Sequence, residues 1–124
     1  RLGFRYHSES LSANWPATTV TDFELKEALE LLDGRASPRH VGLAYTRITD
    51  SGLKHLAGFS SLETLSLRRT EISDAGLEHL RSLDNLRELW LTGTAVTDDG
   101  LKKLAGMVRL KSGMSALEGG SDAA

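Results

Sequence analysis

The sequence predicts an α/β solenoid, a stack of short parallel strands and short helices, and three observations carry that prediction. Gly52, Gly76 and Gly100 are spaced 24 residues apart. Around them the same pattern recurs as VGLAYTRITDSGLKHLAGFSSL, LSLRRTEISDAGLEHLRSLDNL and LWLTGTAVTDDGLKKLAGMVRL. Within each copy the apolar period changes from two to three. A unit this small cannot bury its own apolar face, and stacking it on copies of itself solves the problem.

The first half of each unit alternates: Val41 and Leu43, Leu65 and Leu67, Leu89 and Leu91. Alternation of this kind predicts a short, half-buried strand. The second half has helical spacing, with Ile48, Leu53, Leu56 and Phe59 in the first copy, Ile72, Leu77, Leu80 and Leu83 in the second, and Val96, Leu101, Leu104 and Met107 in the third. Steps of three place these side chains on one helix face. Strands would then align in parallel at roughly 4.8 Å, with helices opposite. Helices are wider than strands, so the stack should curve with the sheet inside the bend.

The joint between the halves is also patterned. Thr49, Ser73 and Thr97 stand where an N-cap is wanted. Asp50, Asp74 and Asp98 follow in the first turn, where the helix dipole favours an anion. Ile48 with Leu53, and their equivalents, can close a hydrophobic staple. A glycine inside a helix costs about 1 kcal/mol against alanine. Gly52, Gly76 and Gly100 are therefore expected to mark helix starts packed so closely on the next repeat that a Cβ would clash. Gly58 and Gly106, with Ser82 in the middle copy, suit helix C-caps. Thr46, Thr70 and Thr94 fall at the sharp turn after each strand, where a buried ladder of hydroxyls can satisfy turn backbone groups.

The chain of 124 residues fits one domain. Three regular repeats are assigned to 38–110. Residues 11–37 read as a degenerate capping repeat, because Thr21, Asp22 and Leu25 echo the joint with Glu24 at the glycine position and Trp15 standing in for Leu43. Its helix should run through Leu32, and an insertion of four residues within 33–38 restores register. Residues 1–10 match no part of the repeat and are unassigned beyond an edge-strand reading. Leu110 opens a fourth copy that fails at Gly113 and Ser115, so 111–124 read as a partial repeat with a disordered tail.

A net charge of −2 does not mark the chain for nucleic acid or an anionic membrane. No apolar run approaches a membrane span, and there is no signal-peptide h-region. The chain begins at Arg1 and reads as a processed or excised piece. There is no cysteine, hence no disulfide framework or thiolate zinc site, and neither Asn14 nor Asn85 lies in a glycosylation sequon.

The run Leu62-x-x-Leu65-x-Leu67-x-x-Thr70-x-Ile72 resembles the consensus of leucine-rich repeat proteins, with threonine where that family usually has asparagine or cysteine. The following Ile-Ser-Asp-Ala-Gly-Leu at 72–77 resembles the subclass with a TD-x-GL helix start, found in bacterial and F-box-associated repeats. The resemblance covers about residues 38 to 110. It implies a right-handed, curved solenoid that binds proteins on its concave sheet.

The outward strand positions are where such binding would be written. Tyr45, Arg68, Arg69, Glu88 and Trp90 break the repeat there, and tyrosine, arginine and tryptophan dominate binding hot spots. The alternative is that these are ordinary solvated charges and a tryptophan packed on its neighbour. His55 and His79 occupy equivalent positions, but Lys103 follows them and no further ligand type joins at metal spacing, so a polar column is expected and no metal. The aspartate column is explained by the helix starts rather than by calcium. No nucleophile–base set, phosphate loop or carboxylate pair appears. The expectation is a non-enzymatic interaction module without cofactor, whose protein partner is not named by the sequence. The rivals are a structural module whose copies stack through open repeat ends, and the recognition arm of a larger protein such as a ubiquitin ligase.

Overall fold

The alternating residues place Val41, Leu65 and Leu89 at one level of three parallel strands, and a computed structural model of the chain shows that register directly. The structure describes residues 4–7, 9–13, 20–32 and 38–104. In chain order the elements are β1 (Phe4–His7), β2 (Ser10–Ala13), α1 (Asp22–Leu32), β3 (His40–Gly42), α2 (Asp50–Leu53), β4 (Thr64–Ser66), β5 (Glu88–Trp90) and α3 (Asp98–Lys102). The sheet order is β1-β2-β3-β4-β5. β1 joins β2 antiparallel, and every later pairing is parallel. Short parallel strands returning through short helices make this an α/β solenoid.

The return segments, expected only as short helices, are mixed in kind, with α2 and α3 in the α form. α2 passes directly into a 3-10 helix at Lys54–Leu56, and the middle repeat is 3-10 throughout Asp74–Leu80. The spacing of the middle repeat is compatible with the 3-10 form. Leu77, Leu80, Leu83 and Leu86 recur every third residue and are all fully buried. Three residues per turn keep such a row in line, whereas an α-helix would carry it round the axis. α1 instead buries Leu25, Ala28 and Leu29, a three-and-four spacing that suits its α geometry.

The core is one cluster. It runs from Phe4 and Leu11 through the columns Val41, Leu65, Leu89 and Leu43, Leu67, Leu91 to Leu104. A fully buried leucine contributes about 1.5–3 kcal/mol relative to exposure, so the leucine columns are the main cohesive force between repeats. Among the described residues no buried side-chain nitrogen or oxygen lacks a hydrogen-bond partner.

The joints form a second, polar connection between repeats, and here three sequence expectations are corrected. The aspartates do not chiefly serve their own helix start. Asp22 accepts the Thr49 N–H at 2.8 Å and the Thr49 hydroxyl at 2.5 Å. Asp50 accepts the same pair from Ser73 at 2.7 and 2.5 Å, and Asp74 from Thr97 at 2.7 and 2.6 Å. Each carboxylate thus holds the next repeat. The hydroxyls of Ser73 and Thr97 are spent on that contact and make no cap bond; only Thr49 also accepts from Ser51 N–H. The glycines face the same carboxylates. A Cβ on Gly52 would lie 2.2 Å from Asp22 Oδ1, on Gly76 2.4 Å from Asp50 Oδ1 and on Gly100 2.0 Å from Asp74 Oδ1. The close neighbour therefore belongs to the preceding repeat, not the next one.

Thr46, Thr70 and Thr94 serve the backbone of their own turns, and Thr46 and Thr94 also accept the N–H of Ile48 and Val96. Each hydroxyl donates within its own turn, to the carbonyls of Leu43 at 2.8 Å, Leu67 at 2.7 Å and Leu91 at 2.6 Å. Gly58 is not a left-handed C-cap, since Gly93 is the only described glycine with positive φ. Gly106 lies outside the described residues.

At the first joint the ladder closes on itself. Among the described residues no repeat precedes Thr21, and Glu24, at the glycine position, accepts both its N–H, at 2.9 Å, and its hydroxyl. This is the carboxylate half of a capping box, and it puts a carboxylate in the place an aspartate of a preceding repeat would take. The strand register of this first unit differs from the sequence reading. Leu11 pairs with Val41, so the equivalent of Val41 is not Ala13. Trp15, the insertion expected within 33–38 apart from Pro38, and 111–124 lie outside the described residues.

Candidate binding face

The strands turn one face to the core and one outward. Register fixes two outward rows: Arg5, Ser12, Gly42, Ser66 and Trp90 at one level, and His7, Ser10, His40, Thr64 and Glu88 at the next. Ser12, Gly42 and Ser66 are small, so the middle of the sheet is low. Over it lies a groove of about 360 Å³ walled by His40, Arg68 and Trp90.

The parallel ladder continues past the strands into the turns. Leu43 N–H donates to Ser66 O and Leu67 N–H to Trp90 O. Tyr45 N–H then donates to Arg68 O at 2.8 Å, and Arg69 N–H to Thr92 O at 2.9 Å. These bonds hold the turn in a left-handed conformation at one recurring position, with φ of 65° at Tyr45, 56° at Arg69 and 79° at Gly93. Glycine adopts that region freely, whereas for other L-residues it costs about 1–2 kcal/mol. The third repeat has the undemanding residue and the first two do not.

Of the five residues expected to contact a partner, Arg68 and Trp90 line one groove. Tyr45 joins them through Arg68, whose guanidinium carbon lies 6.0 Å from the Tyr45 ring centroid, within cation–π range. Arg69 lies beside this group with its stem against Gly93, since a Cβ there would be 2.8 Å from Arg69 Cδ. Glu88 stands on β5 opposite Thr64, one row away from Trp90. Among the described residues Tyr45 and Trp90 are two of the four exposed large hydrophobic ones, at 40% and 36%.

The sequence reading missed the part of this face that β1 and β2 contribute. Arg5, His7, Ser10 and Ser12 extend it by two strands. Phe4 and Tyr6 alternate with Arg5 and His7, and that short alternation was the available signal. At the N-terminal ends of the strands, Arg39 donates to Glu63 at 2.7 and 3.0 Å and pairs with Glu9 at 3.4 Å. The hydrogen bond from Arg39 holds the Glu63 carboxyl below its ordinary range.

His55 lies in a helix-side groove with Lys26, Glu30 and Phe59. Among the described residues no group of three or more His, Cys, Asp or Glu side chains converges as a metal site would require. Asp50 and Asp74 of the aspartate column are occupied as hydrogen-bond acceptors. Among the described residues no helix is long and apolar enough to cross a membrane.

A search of curated proteins returns no match. Residues 60–80 and 85–105 each match the family model described as Leucine Rich repeat. With the parallel strand register and the joint that recurs every 24 residues, these matches identify the stack as an α/β solenoid of the leucine-rich-repeat type.

Proposed function

We propose that the chain is a non-enzymatic protein-interaction module, binding its partner across the outward, concave face of the sheet with Tyr45, Arg68, Arg69, Glu88 and Trp90. Leucine-rich repeats support the interaction role in general. One observation supports this face in particular: Tyr45 and Arg69 keep a left-handed turn that Gly93 shows could be made without strain. Backbone strain retained by a network of ladder bonds is characteristic of functional surfaces. Exposed aromatic and arginine side chains gather at the same place.

The test is the double variant Trp90→Ala with Arg68→Glu. Both residues are exposed, so the urea midpoint should stay near that of the wild type. Proteins retained by the immobilised wild type should be lost from the variant. A partner that binds both equally overturns the choice of face.

End-to-end stacking of copies is less well supported. It needs open donors at the first joint to meet the aspartate of another copy, and the N–H and hydroxyl of Thr21 already donate to Glu24. Light scattering after size exclusion should give a monomer mass at high concentration. The ubiquitin-ligase reading rests on resemblance alone, since no feature of this chain points to it.

A further inference from the structure

Charge is distributed unevenly over this molecule. The chain as a whole carries −2. Away from the sheet face, Lys26, Arg47, Arg81, Lys102 and Lys103 each have a carboxylate within ion-pair distance, and Arg39 has two. Lys54 and Arg87 have none, so six of the eight described cations there are paired, whereas none of the arginines of the outward face is. Arg5, Arg68 and Arg69 have no carboxylate partner among the described residues. His7 and His40 share that face, and Glu88 is its only acid in the two rows. Arg68 at a groove floored by small hydroxyl side chains, with Arg5 opposite Ser12 and Arg69 on the adjoining turn, forms a receptor for oxyanions, because arginine forks and hydroxyls all donate to them.

We infer that the ligand of this face is an extended, anionic peptide segment, with a carboxylate or phosphoryl group seated over Ser12, Gly42 and Ser66 beside Arg68, and an apolar side chain on Trp90. The inference rests on the concave-face reading above and narrows it to a class of partner. Crossing from β1 to β5 covers four strand spacings, roughly 19 Å, which about six extended residues span. Gly42 leaves room at the centre, its nearest neighbour across the floor being Ser12. A nucleic acid fits less well. Three arginines would neutralise few phosphates, Glu88 would oppose the strand, and the chain is acidic overall.

The experiment is selection of random 12-residue displayed peptides on the full chain, followed by anisotropy measurements on synthetic copies of the enriched sequences. The expected peptides are acidic with a neighbouring apolar residue, bind more weakly as salt is raised, and lose about tenfold or more in affinity on Arg68→Gln. Trp90→Ala should weaken them as well. Replacing the key acid by phosphoserine distinguishes the two oxyanion sources: tighter binding identifies phosphoryl, weaker binding carboxylate, and either supports the inference. Enriched peptides that are neutral or basic, yet depend on Trp90, would overturn the anionic class while leaving the face intact. Peptides indifferent to both substitutions, or no enrichment, would overturn both. A single-stranded poly-dT oligonucleotide that displaces the peptides and itself binds more tightly would reassign the face to nucleic acid.

Discussion

The joint that starts each helix and the outward face of the sheet belong to the same repeating unit, yet they follow opposite rules. At the joint, three residue types recur in every regular repeat: a hydroxyl, an aspartate and a glycine. Each is fixed by a neighbour in an adjacent repeat, because the carboxylate needs the hydroxyl and N–H in front of it and tolerates no Cβ beside them. On the sheet face the equivalent positions hold Gly42, Ser66 and Trp90, or Tyr45, Arg69 and Gly93. Nothing in the stack demands these residues, and two of them occupy a turn that glycine would fill at lower cost. Uniformity thus marks what holds the protein together, and variation marks where it can be read by something else.

The strongest way to break this contrast is at Gly76. Gly76→Ala would place a Cβ 2.4 Å from Asp50 Oδ1 and 3.1 Å from Leu53 Cδ1. Displacing that carboxylate forfeits two charged hydrogen bonds, and the expected loss is about 3 kcal/mol in urea unfolding. Asp50→Ala alone should cost about 2 kcal/mol. In the Asp50→Ala background the glycine substitution should become harmless, or gain up to about 1 kcal/mol from the better helix former. This is strong non-additivity between two contacting residues. Costs that simply add would mean that the aspartate is not what the glycine accommodates.

The turn column gives a smaller effect of opposite signs. Gly93→Ala, at φ 79° and against the Arg69 stem, should lose about 1–2 kcal/mol. Arg69→Gly should be neutral or stabilising by up to about 1 kcal/mol, while weakening partner binding. Loss of stability on Arg69→Gly would place Arg69 with the structural residues rather than with the binding ones.

The smallest effect concerns the cap. Hydrogen bonds from Thr21, the side chain first and then the backbone, hold the Glu24 carboxyl below its ordinary value of 4.5. Its folded pKa is depressed, so its stabilisation is present above pH 4.5 and fades as pH falls through the lower folded value. Glu24→Gln should therefore be slightly less stable than wild type at neutral pH. The two thermal midpoints should converge below pH 4.5. A constant gap across that range would show that Glu24 acts without its charge.

Much of this fold is legible in the sequence because its causes are local. Alternating leucines place β3, β4 and β5, and leucines every third residue place the return segments, whatever lies beside them. The spacing of Leu77, Leu80 and Leu83 marks the middle return segment as helical, and the structure shows its form to be 3-10. The face was partly legible. Arg68 and Trp90 stand out as deviations from a strict period, but Arg5 and Ser12 belong to no repeat, and only the hairpin of β1 and β2 brings them into the same row.

The sequence by itself determined the repeating unit, the residues that turn inward and the positions free to vary, because hydrophobic periodicity is a property of neighbouring residues. Only the tertiary structure decided what each joint residue does. Asp50 meets Ser73 and Asp74 meets Thr97 across 23 positions, and Glu24 takes the place of such an aspartate at Thr21. It likewise decided that Tyr45 and Arg69 bear a left-handed turn, since their conformation is imposed by ladder bonds to the following strand. A spacing can mark such residues as recurring, but their hydrogen-bond partners exist only once the repeats are stacked.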